Sequence, residues 1–165
     1  EVDYFEQDGS WRTLPAFDSL VPKRTSITST IGLAPAPRRE NFGLRFRGLV
    51  RIPATGVYGF GLSSDDGSRL AIDGQRVVDH DGIHGMSERS GWVALSAGLH
   101  FFELTYFQGC CGIGLTLEVQ APLGARGPLP SGWLFHRDPS RRRASPQQAG
   151  AGTVARTLAG GLPAS

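Results

Sequence analysis

What this sequence has little of narrows it before any motif does. Two cysteines in 165 residues, adjacent at Cys110-Cys111, are too few for a disulfide framework. No apolar run approaches the length a bilayer-spanning segment needs, so no membrane insertion is expected. No segment joins an apolar spacing of three and four residues to helix caps, so helices are not expected to carry the fold. There is no Gly-x-Ser-x-Gly elbow and no paired Cys/His nucleophile signal, and the chain is not expected to be an enzyme. Basic charge is scarce where a nucleic acid would need it. The formal net charge of +2 divides unevenly: residues 1–136 hold 12 Lys and Arg against 14 Asp and Glu, while residues 137–165 hold five Arg against Asp138. The basic excess therefore belongs to the C-terminal stretch, and the rest offers no nucleic-acid surface.

What is present points to a β protein. Hydrophobic residues make up 39% of the chain, with nine Phe and three Trp, enough for a packed core. The 23 Gly and 11 Pro imply many turns between short strands. Phe42, Leu44, Phe46, Val50 and Ile52 share one parity, and Arg45, Arg47 and Arg51 take the other, predicting a half-buried strand with a basic outer face. Val57 to Leu62 continues as a strand with Tyr58, Phe60 and Leu62 on one side. Gly59 and Gly61 between them suggest close approach on the other. Asp73-Gly74 predicts a tight hairpin between Arg69–Ile72 and Gln75–Val78. Trp92–Leu95, Leu99–Phe107 and the alternation Ile113, Leu115, Leu117, Val119 complete a set that reads as an all-β antiparallel sandwich or barrel. In residues 137–165, Arg141-Arg142-Arg143 precede a stretch of Ala, Gly, Pro, Gln and Ser. That composition predicts a linker or disordered tail after a domain spanning 1–136.

Among candidate sites, Asp65-Asp66 within Ser64-Asp65-Asp66-Gly67-Ser68-Arg69-Leu70 is the most informative. Two adjacent carboxylates repel unless water screens them or a cation neutralises them. Calcium suits the second case, being a hard ion that takes carboxylate and carbonyl oxygens, and a solvated turn is the alternative. Asp79, Asp81, Gly82 and Glu88 partly imitate an EF-hand loop, yet its first position would be Val77 and no helices flank it. His80 and His84 lie four apart, a zinc spacing only on a helix, and this stretch reads as a loop. Glu103 and Glu118 are conceivable as a glycosidase-type carboxylate pair, but each reads as part of a solvated strand face. Cys110-Cys111 leaves two readings open, a strained bond between neighbours or two free thiols.

Taken in order, these segments resemble the PA14 domain, a β-sandwich of secreted toxins, microbial adhesins and glycosidases. The resemblance runs over residues 1–136. It includes Tyr4-Phe5 and Leu14-Pro15-Ala16-Phe17, the stretch from Phe42 to Phe60, and Ser64 to Leu70. Ile72-Asp73-Gly74, Val77 to Gly85, and Leu104-Thr105-Tyr106-Phe107 follow in place. It implies a jelly-roll-like sandwich and, as in the lectin members, a calcium ion held by the two Asp of this loop across a cis peptide bond. Asp65 and Asp66 would be its carboxylate ligands. Gln108 stands where the family places an amide ligand, although fungal adhesins typically have Asn there. The backbone carbonyls of Cys110 and Gly112 would complete the shell. Asp65, Asp66, Gln108, Gly109 and Cys111 would then meet the sugar, with His80, Asp81 and His84 at the border. A bond between Cys110 and Cys111 would stiffen that loop and offer a sugar an apolar face.

The expected function is thus calcium-dependent carbohydrate binding by a secreted or cell-surface, adhesin-like module. A structural or assembly module without sugar binding, and an accessory domain of a glycosidase, are the competing readings. Because the chain opens at Glu1 without Met or an apolar targeting segment, it reads as a processed form or part of a larger multidomain chain.

Overall fold

The computed structural model describes residues 1–9 and 11–136. The expected tail, 137–165, lies outside the described residues. Eleven strands follow one another: β1 (Val2–Glu6), β2 (Arg24–Ser26), β3 (Phe42–Ile52), β4 (Gly56–Asp65), β5 (Ser68–Ile72), β6 (Gln75–His80), β7 (Ser87–Leu95), β8 (Gly98–Gln108), β9 (Gly114–Gln120), β10 (Arg126–Pro128) and β11 (Leu134–Phe135). They pair antiparallel into two sheets. One has the order β2-β1-β3-β8-β5-β6, with β11 also pairing with β3, and the other has the order β10-β9-β4-β7. The domain is an all-β sandwich, as the alternation predicts.

The inner faces supply the core. Phe42, Leu44, Phe46, Val50 and Ile52 from β3, with Phe102, Leu104 and Tyr106 from β8, meet Tyr58, Phe60 and Leu62 from β4. Leu115, Leu117 and Val119 of β9, with Val93 and Leu95 of β7, close the opposite side. Period-two patterning places each of these on the buried face because alternate strand residues point to opposite sides.

Several boundaries differ from the sequence reading. β7 begins at Ser87 rather than Trp92, because its first half is edge strand with polar residues outward and gives no apolar period. β4 runs on to Asp65 rather than stopping at Leu62, so the first carboxylate is the strand's last residue. β1, β2, β10 and β11 are too short or too polar to show alternation and are found by pairing alone.

The basic outer face expected on β3 is partly covered. Arg45 is buried, donating to Asp18 at 2.7 Å and Asp3 at 3.2 Å and lying over the Phe5 ring. Arg47 reaches the same Asp3 at 2.6 Å. Asp3 sits opposite Arg45 on β1, an apposition that single-strand periodicity cannot foresee. On the outer side of the smaller sheet, Trp92 and Arg126 lie across the side-chain-free positions Gly59 and Gly61, which accounts for the glycines read there.

At one end of the sandwich β4 finishes and β9 begins beside the end of β8. Asp65 pairs with Gly114, and β8 stops at Gln108, opposite Phe42. This register brings the Asp65-Asp66 turn and the 109–113 loop together, although about 40 residues separate them in sequence.

Candidate functional site

Asp65 and Asp66 occupy the turn from β4 to β5, and the peptide bond joining them is cis. Both side chains are largely enclosed, with residue exposures of 7% and 4%. Gly67 follows because nothing larger fits: a β-carbon there would stand 2.4 Å from the Phe107 ring and 2.9 Å from the Gly82 backbone. The two carboxylates are treated differently. Asp66 accepts from the His84 amide through Oδ1 at 3.2 Å and from the Gly109 amide through Oδ2 at 2.9 Å. It thereby ties the 81–86 loop to the 109–113 loop. Among the described residues, no cation and no hydrogen-bond donor reaches the Asp65 carboxylate. Oδ2 of Asp65 instead lies against Gly112, where a β-carbon would be only 2.2 Å away. The Asp65 oxygens are not sealed off, since among the described residues Arg45 Nε is the only buried side-chain nitrogen or oxygen left without a partner; the carboxylate keeps a narrow contact with water, through which a cation could reach it.

The second loop is anchored from within. Gln108 is fully buried, and its Nε2 donates to the carbonyls of Cys110 at 2.9 Å and Gly112 at 2.6 Å. Its Oε1 faces the Tyr106 hydroxyl at 2.5 Å, and the same hydroxyl stands 2.5 Å from the Asp65 carbonyl. Burial, reinforced by the charges of Asp65 and Asp66, pushes the Tyr106 phenol well above its ordinary pKa, so it is a neutral donor. Asn41, in a left-handed conformation, donates to the Gly109 carbonyl at 3.1 Å and supports the loop from outside. Cys110 and Cys111 are bonded to each other and exposed, which decides between the two readings of that pair.

The expected ligand residues therefore share one end of the fold, with one departure: the amide nitrogen of Gln108, not its oxygen, faces the two carbonyls. Tyr106, read from the sequence only as part of the Leu99–Phe107 strand, joins the two loops. No group of three His, Cys, Asp or Glu side chains is gathered among the described residues. A cation here would thus rest on two carboxylates and neutral oxygens, a donor set that suits calcium and not zinc. The unpaired Asp65 carboxylate, seated against Gly112, fits such an ion.

The PA14 domain profile matches residues 2–125. The chain belongs to the PA14 domain family. None of the curated proteins compared with it matches. Among solved structures, an anti-sigma factor domain-containing protein from Clostridium clariflavum is 27% identical with a TM-score of 0.68, covering 87% of this chain and 49% of its own. The PA14 sugar-binding domain from an RTX adhesin is 29% identical with a TM-score of 0.52, covering 58% of this chain and 55% of its own. The PA14 domain of the MpAFP antifreeze protein shares the fold at 17% identity and a TM-score of 0.66, covering 81% of this chain and 87% of its own. The chain thus spans about half the length of the first two structures.

The other candidates of this PA14 domain are placed as follows. His80 and His84 stack with ring centroids 3.9 Å apart. His80 is buried with Nε2 against Ser87, and burial, followed by the neighbouring His84, lowers its pKa. His84 borders the Asp66 carboxylate through its backbone amide, while its ring nitrogens face the carbonyls of His80 and Gly85. Asp81 points away from the carboxylate pair, accepting from the Leu14 amide at 2.7 Å and pairing with Arg69 at 3.4 Å. The EF-hand imitation does not assemble, because Asp79 is held by Arg69 and Arg76 and Glu88 by Arg126. Glu103 lies on the seven-stranded sheet and Glu118 on the four-stranded one, where it pairs with Arg126 at 2.7 Å. They do not form a carboxylate pair.

Proposed function

We propose that this PA14 domain is a non-catalytic, calcium-dependent carbohydrate-binding module of a secreted or cell-surface protein. The observation that carries the reading is the Asp65 carboxylate, enclosed, without a partner, and adjacent to a second enclosed carboxylate. Asp65 and Asp66 would hold the ion, with Gln108 and the carbonyls of Cys110 and Gly112 as the neutral oxygens. Bound calcium supplies open coordination positions to which vicinal sugar hydroxyls bind. The chain's own part is to orient the carboxylates so that they also accept from those hydroxyls. The bonded Cys110-Cys111 pair, exposed on the second loop, offers an apolar surface beside them. Across the site the 81–86 loop carries Ile83 and Met86, both more than half exposed. The sugar-binding domain of the RTX adhesin supports the ligand class, and the adhesin and antifreeze relatives support an extracellular setting.

One observation favours a second reading, a structural module that holds no ion. The Gln108 amide nitrogen already satisfies both loop carbonyls, so the second loop closes without help. Thermal unfolding in chelator and in millimolar calcium separates the two. A ligand that binds only the native state raises the midpoint by mass action. The lectin reading requires that rise, together with glycan binding on an array that disappears in chelator; an unchanged midpoint supports the structural module.

A further inference from the structure

Tyr106 Oη carries one proton and stands 2.5 Å from two oxygens, the Asp65 carbonyl and Gln108 Oε1. It can donate to only one of them. As an acceptor, the same hydroxyl oxygen can itself receive a hydrogen bond. In the observed orientation three buried oxygens thus crowd around a single hydroxyl proton, while both Gln108 amide protons go to Cys110 and Gly112.

Turning the Gln108 amide end for end reverses this account. Nε2 then donates to Tyr106 Oη, the Tyr106 proton goes to the Asp65 carbonyl, and every group around the hydroxyl is satisfied. Oε1 now joins the carbonyls of Cys110 and Gly112, so three acceptors converge beside the unpaired Asp65 carboxylate with no donor among them. That arrangement is unfavourable by itself and favourable with a cation present. Each orientation satisfies one end of the amide and leaves oxygens crowded at the other, the hydroxyl end in the first and the loop end in the second, and only a cation relieves the second.

We propose that Tyr106 is a positioning residue that makes the Gln108 amide a two-state gate. With its nitrogen inward, Gln108 caps the loop carbonyls and keeps the ion-free site closed. With its oxygen inward, it completes the ligand set. The exchange needs no movement of the backbone, since the amide is planar and its two ends are nearly the same size. The inference rests on the calcium reading above. It adds that the ion competes with the protein's own amide, so occupancy is weaker than the oxygen count suggests.

The test uses the full chain, labelled with 15N, with the Gln108 side-chain amide assigned by its loss in Gln108→Glu. In chelator, the Nε2 protons are expected to show nuclear Overhauser contacts to the backbone at Gly112. As calcium chloride is added, those contacts should give way to contacts with the Tyr106 ring, with the same midpoint as the heat of calcium binding. Tyr106→Phe removes the hydroxyl that receives the turned amide and should weaken calcium binding roughly three- to tenfold, the worth of about one net hydrogen bond. Calcium binding with the Gln108 contacts unchanged overturns the gate and leaves the calcium reading standing. No calcium binding to the unaltered chain overturns both. Tyr106→Phe that folds and binds calcium as tightly as the parent also overturns the gate; if that variant does not fold, the wild-type contacts decide alone.

Discussion

The Asp65 carboxylate lies against Gly112 so closely that a β-carbon on Gly112 would stand 2.2 Å from Oδ2. No real β-carbon tolerates that separation from an oxygen, so Gly112→Ala must displace either the carboxylate or the loop. The φ of Gly112 is not among the positive values of the domain, so alanine meets no backbone objection there. The expected result is a fold weakened by about 1–3 kcal/mol, the usual range for overpacking, and a calcium-induced rise in unfolding midpoint that is lost. Calorimetric unfolding of both proteins, in chelator and in calcium, measures the two effects separately. A variant that keeps the full calcium response would remove Gly112 from the site.

Asp65→Asn probes the unpaired charge directly. The amide has almost the same shape and removes an enclosed carboxylate that nothing among the described residues offsets. In chelator the variant should melt higher, by about 3 °C, the shift that roughly 1 kcal/mol produces in a domain of this size. In calcium the order should invert, since the parent gains stability and the variant does not. Asp66→Asn should behave differently. Asp66 already accepts two backbone amides, so its loss frees the 81–86 and 109–113 loops from each other and lowers the midpoint even in chelator.

Much of this was legible in the sequence because β-sandwich strands announce themselves by alternation. The inward sets on β3, β4, β8 and β9 all pack as their parity requires. Asp73-Gly74 turns as read, with both residues at positive φ. What alternation cannot show is which strand covers which outer face. Arg45 looked solvated because its cover, Asp3 and Phe5, comes from a strand about 40 residues earlier. The site divides the same way. The acidic pair, Gln108 and the glycines stood out by residue type and order. The part played by Tyr106 did not, because its ring satisfies the core pattern and only the register of β4 and β9 shows where its hydroxyl goes.

The Cys110-Cys111 bond supplies a redox prediction. Both residues are exposed, so a water-soluble phosphine can reach them. The carbonyl of Cys110 is one of the two that Gln108 holds, so loosening this pair loosens a neutral oxygen of the site. The core lies elsewhere, and the unfolding midpoint in chelator should change little on reduction. Calcium affinity measured by titration calorimetry should fall several-fold, and Cys110→Ser with Cys111→Ser should reproduce the fall without reductant. Equal affinity in the bonded and open forms would make the pair a bystander.

The His100–Asp73 contact implies a pH dependence of definite sign, far from the acidic pair. His100 Nδ1 meets Asp73 Oδ2 at 2.6 Å, and Nε2 meets the Ser96 carbonyl at 2.8 Å. Burial opposes the charged ring, yet the Asp73 and Ser96 hydrogen bonds prevail and raise the His100 pKa above its ordinary 6.5. A base whose folded pKa is raised adds stability that is complete below its unfolded pKa and is lost as pH rises through the folded one. His80 has the opposite shift, so its contribution is lost as pH falls through the ordinary histidine range. The two therefore oppose each other between mildly acidic and mildly alkaline pH. His100→Gln removes one of them and should uncover a midpoint that climbs with pH. The gap between parent and variant should be widest near pH 6 and should narrow toward pH 8. The change is modest, since the Asp73 side chain is 48% exposed and water screens the pair. Midpoints recorded in chelator across that range, for both proteins, measure it; a gap that widens toward alkaline pH would reverse the assigned sign.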